Sequence, residues 1–216
     1  MSRFPAAVPE WARNLLKIMA IGFVCGVAGV LVGEFAAARF PGLEPDFTGV
    51  RWADVVAGLL AFILLVACLA TGLRSLSREG LGKTLNLEGP AGDIEVRDAR
   101  TQSVVLALSG IILLLPMILS ALSVPPLAAL GGVVVLLGLH TVLNLRLYRS
   151  VDELFRRTVV EAGAMTFWLG QGVLFLWAAA ERLAVAPPIT AWDVYVVLMG
   201  VYLVVSMVVT MRRGLA

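Results

Sequence analysis

The sequence predicts an all-α protein: a polytopic transmembrane bundle of six spans, with both termini on the cytoplasmic side. Three observations predict it. Apolar residues make up 60% of the chain and charged residues 15%, whereas a soluble domain carries roughly 25% charged residues. Several uncharged runs approach the ~20 residues that a helix needs to cross a bilayer. When six spans are laid out alternately, fourteen of the seventeen Lys and Arg residues fall on one side. That bias marks the cytoplasmic face and places both chain ends there.

The predicted spans are residues 14–38, 52–73, 104–122, 127–147, 158–180 and 192–211, in one transmembrane domain covering 1–216. The first opens after Pro9 and Glu10, with Trp11 placed as an interfacial anchor. It carries Gly22, Gly26, Gly29 and Gly33, a spacing that puts all four on one helix face. Small residues so placed let a second helix approach closely. The neighbour is a helix of the same chain, a second copy or a partner membrane subunit. Glu34 lies near the far end of this span. Cys25 and Cys68 both fall in apolar segments, which argues against a disulfide framework and for two small core residues.

Residues 74–102 form the only sizeable hydrophilic segment, with five basic and five acidic side chains. Within it LNLEGPAGDIEV alternates about a Gly-Pro-Ala-Gly turn, which makes Leu85, Leu87, Ile94 and Val96 one face of a candidate β-hairpin. Gly89 and Gly92 lack the lysine and helix start of a phosphate loop and read as a turn. Pro116 is expected to kink the third span or to leave a carbonyl free there. Pro125 and Pro126 join it to the fourth in a tight helical hairpin. Ser150, with Glu153 three residues on, has the spacing of a capping box for the fifth span. Asp152 with Arg156, and Glu153 with Arg157, are i,i+4 pairs. Thr190 and Asp193 have the same capping spacing before the last span, with Trp192 and Tyr195 at that interface.

The stretch DELFRRTVVEA, leading into a long apolar helix, resembles a pattern in small bacterial integral-membrane proteins of unknown function. There an acidic pair, two arginines and Glu-Ala open a transmembrane helix. The matching residues are Asp152, Glu153, Arg156, Arg157, Glu161 and Ala162. The likeness covers one helix and implies a membrane setting without an activity. Short loops and the lack of a transit-like segment point to a bacterial inner membrane, and no cleavable signal peptide is expected.

Ionisable residues inside a membrane are costly and point to function by default. His140 and Glu161 lie about equally far from the turn near Ser150, so a hairpin of the fourth and fifth spans would bring them to one depth. Asn144 and Arg157, each one turn away, would join them. Gln171 lies deeper in the fifth span, between Gly170 and Gly172. These five residues are the candidate polar membrane site, read either as a structural clamp or as a proton- or ligand-linked site. One histidine excludes bis-histidine haem within the chain. HExxH, Walker A and GxSxG motifs are absent. The expectation is a non-catalytic membrane protein, a subunit or scaffold with no cofactor, no metal site and no nucleic-acid partner. The alternative is a small transporter or channel.

Overall fold

A computed structural model describes residues 51–85 and 87–213. The predicted first span, with Gly22, Gly26, Gly29, Gly33, Cys25 and Glu34, lies outside them. The described chain forms α1 (Trp52–Arg74), α2 (Arg78–Thr84), α3 (Asp93–Ala121), α4 (Pro126–Ser150), α5 (Glu153–Arg182) and α6 (Ala191–Arg212). All but α2 are long and apolar enough to cross a membrane. No strand occurs among the described residues.

The helices pack as a row in the order α4, α3, α1, α6, α5. Small residues hold the contacts together. Helix α1 buries Ala53, Ala57 and Ala61, and exposes Phe62, Leu69 and Leu73. Helix α5 buries Thr158, Ala162, Thr166 and Gly170, while Trp168 and Phe175 stay more than 70% exposed. A soluble fold would turn its large apolar side chains inward; a lipid-solvated one gains nothing by that and brings its backbones together instead. Gly110 illustrates the closeness, since a Cβ there would stand 3.1 Å from the Ala61 carbonyl oxygen of α1. The central cluster of Ala53, Ala57, Leu60, Ala61, Leu113 and Val196 joins α1, α3 and α6.

The candidate hairpin is not formed. Ile94 and Val96 belong to α3, which begins at Asp93, eleven residues before the predicted third span. Extended Gly92 precedes it, and Asp93 and Glu95 in the first turn suit the helix dipole. At that start a helical register buries Val96 against Leu81, Ala91 and Ala99. A two-stranded ribbon would leave most of those contacts unmade and is marginal in water. Ser77 caps α2, its hydroxyl accepting from the Gly80 N–H at 3.1 Å. The first turns of α3 thus extend about 15 Å beyond its apolar part.

The start of α5 also differs. Asp152, not Ser150, is the N-cap, accepting from the Phe155 N–H at 2.7 Å. Ser150 instead closes α4, donating to the Leu147 carbonyl at 3.0 Å. With the Asp152 carboxylate engaged by backbone, Arg156 turns to the end of α4, donating to the carbonyls of Tyr148 (3.1 Å) and Arg149 (3.2 Å). Cationic donors on terminal carbonyls close a helix C-terminus. The Glu153–Arg157 pair forms as expected, at 3.0 Å. Between α3 and α4, and again after α5, the chain turns through a non-glycine residue at positive φ, Ser123 (54°) and Ala184 (57°). In both, bonds to the third and fifth preceding carbonyls complete a Schellman cap.

Candidate functional site

Three polar clusters tie the helices. The first lies between α3 and α4. His140 Nε2 is 2.8 Å from Ser109 Oγ and 2.9 Å from Asn144 Nδ2, which also lies 3.3 Å from Nδ1 and donates to the His140 carbonyl at 3.1 Å. Ser109 Oγ also donates to the Val105 carbonyl at 2.9 Å. Nε2 thus meets both the Ser109 hydroxyl and the Asn144 amide, and the Ser109–His140 contact ties α3 to α4. Nearby, Cys68 Sγ lies 3.4 Å from Ser103 Oγ, which donates to the Cys68 carbonyl at 3.0 Å.

The second cluster joins α5 to the chain just after α6. Glu161 accepts through one carboxylate oxygen from Nε of Arg213 (3.1 Å) and from its Nη2. Both side chains are part-exposed. The third lies at the opposite end, where α1 and α6 begin. Arg51 Nη2 reaches both Asp193 oxygens, at 2.7 and 2.8 Å, and Thr190 Oγ1 at 2.8 Å. Asp193 is buried and completes the expected capping box with Thr190. Trp192 Nε1 donates to Asp54 at 2.8 Å and its ring stacks on Tyr195. Two consecutive hydrogen-bonded side chains of α6 therefore hold the first turn of α1.

Of the five predicted site residues, only His140 and Asn144 come together. Glu161 turns to Arg213, Arg157 to Glu153, and Gln171 stands exposed on α5 with no hydrogen bond to the described residues. The expected meeting assumed that consecutive spans pack. Instead α4 packs on α3 and α5 on α6, and α4 and α5 share no extended contact. Equal distance from a turn then says nothing about proximity.

Sequence reasoning missed Ser109, Arg213 and the Arg51–Asp193 pair. The pair did carry a signal. Arg51 and Asp193 have opposite charges, each stands beside a tryptophan, and the alternating layout puts both at one interface. The four-residue spacing of Thr158, Ala162, Thr166 and Gly170 was equally available as a packing stripe. Among the described residues no three of His, Cys, Asp or Glu converge on one point. Compared with known proteins, the chain matches no family model, no curated protein and no solved structure.

Proposed function

We propose that this chain is a non-catalytic multi-pass protein of a bacterial inner membrane, with six spans and both termini cytoplasmic, acting as a subunit or scaffold. One observation carries the reading. Charged side chains at two helix contacts are engaged with each other, Arg51 with Asp193 and Glu161 with Arg213. Such groups fix which helices are neighbours. Helix contacts in this chain are made by small residues, and Gly22, Gly26, Gly29 and Gly33 give the first span the same character. That face is the contact for a second copy or a partner subunit.

The test is the mass of the full chain in mild detergent and in nanodiscs. An oligomer, or a co-purifying protein, that separates on Gly26→Leu supports the reading. A monomer throughout sinks it. A reporter fused after Ala216 that is active in the periplasm would overturn the topology. A transporter or channel is the second reading, favoured by one feature, the exposed amide of Gln171 in the apolar part of α5. It requires solute flux into proteoliposomes that Gln171→Leu abolishes.

A further inference from the structure

At the end of the bundle where α1 stops and α3 starts, a groove of about 440 Å³ opens between the link from α1 to α2, the first residue of α2, α3 and α4. Its volume is in the range of small-molecule sites. Its walls are of two kinds. On one side stand three guanidinium groups, Arg78, Arg97 and Arg100, with a single carboxylate, Asp93, among the lining residues. Further along, Val104 of α3 and Leu143 of α4 supply apolar lining. Arg97, Arg100 and Val104 follow at steps of three and four, so one face of α3 passes from charge to hydrocarbon within two turns. Asp93 is taken by Arg78. Arg97 is only loosely held, its Nε 3.6 Å from an Asp98 oxygen, and Arg100 makes no ion pair with the described residues. The groove therefore offers more positive charge than it neutralises, at the height where the helices change from polar to apolar surface.

We propose that this groove holds the phosphate-bearing headgroup of an anionic phospholipid, with an acyl chain leaving past Val104 and Leu143. Guanidinium forks match phosphate oxygens in geometry and charge. Basic pockets between spanning helices on the cytoplasmic side are suited to such headgroups. A free phosphate ester would use the arginines but has no use for the apolar wall. The inference rests on the membrane reading above and goes beyond it by naming a ligand.

The experiment is native mass spectrometry of the full chain released from vesicles of phosphatidylcholine with one-fifth phosphatidylglycerol. The expected result is selective retention of one phosphatidylglycerol per chain. Retention should fall about fivefold for Arg97→Gln or Arg100→Gln alone and about thirty-fold for both, as a basic residue near a lipid surface contributes ~1 kcal/mol. Val104→Trp, which fills the apolar wall and leaves the charges, should also reduce it. Arg146→Gln with Arg149→Gln removes the same charge from α4 outside the groove and should leave it unchanged. Equal loss in that control would reduce the effect to diffuse attraction and overturn the site. Displacement of the lipid by millimolar glycerol phosphate would overturn the lipid in favour of a soluble ester. Insertion without selective retention sinks this inference alone, whereas failure to insert into any vesicle sinks the membrane reading.

Discussion

Gly110 is where the contact between α1 and α3 is most exposed to a single substitution. An added Cβ would lie 3.0 Å from Leu65 Cγ and 3.1 Å from the Ala61 carbonyl oxygen. The leucine tip can shift by a few tenths of an ångström, but the carbonyl is part of the α1 backbone. Gly110→Ala therefore sets mild crowding against a helix-propensity gain of about 1 kcal/mol and should be near neutral. Gly110→Leu adds three further carbons in the same direction. Overpacking of that kind costs about 1–3 kcal/mol, so a net loss of up to about 2 kcal/mol remains after the propensity gain. Unfolding by a rising fraction of dodecyl sulfate in mixed micelles, followed by helical circular dichroism, measures it. A second readout is local. Ser103→Cys in a Cys25→Ser background places a thiol where an oxygen now lies 3.4 Å from Cys68 Sγ, and mild oxidation should join the two. Gly110→Leu should slow that cross-link. If it unfolds at the parent's detergent fraction and cross-links at the parent's rate, the backbones do not approach at Gly110 and the small-residue argument fails.

Other perturbations separate structural ties of different strength. Ser109→Ala removes the hydroxyl that meets His140 Nε2 and should cost about 1 kcal/mol in the same unfolding assay; no change would mean that the Asn144 amide or water satisfies the ring without it. Glu161→Gln breaks a pair whose partners are 41% and 28% exposed, so the loss should stay below about 1 kcal/mol and shrink in 1 M salt; a salt-independent loss of several kcal/mol would contradict that exposure. Ala184→Gly relieves a left-handed alanine that costs roughly 1–2 kcal/mol. Part of that gain is lost to the freer unfolded chain. The melting temperature should rise by about 1–2 °C, and a fall would mean that the turn is held by contacts of the Ala184 methyl.

The spans were legible because uncharged length is a local property. Residues 52–73, 127–147 and 192–211 were expected and Trp52–Arg74, Pro126–Ser150 and Ala191–Arg212 are found. The N-terminal part of α3 was not legible, because Leu85, Leu87, Ile94 and Val96 satisfy a two-residue alternation by chance over so few positions. What settles the matter is tertiary, the burial of Val96 against Leu81. Neighbour relations were the least legible. Spans that are apolar on all sides give periodicity no preferred face, so nothing marked α3 rather than α5 as the partner of His140. Charge did mark the ends, and it is at the ends, with Thr190 and Asp193, that the expected detail was found.

The salt link from Arg51 to Asp193 spans 142 positions of chain, which has a consequence for biogenesis. A ribosome adding about 5–20 residues per second delivers the carboxylate roughly 7–28 s after the guanidinium. Within that interval α1 gains α3 on one flank but not α6 on the other, and Asp54 waits for the Trp192 indole. Completion of the row is thus reserved for α6. A chain stalled before Thr190 should stay open at α1, a form that membrane proteases and insertion chaperones can distinguish from the finished protein.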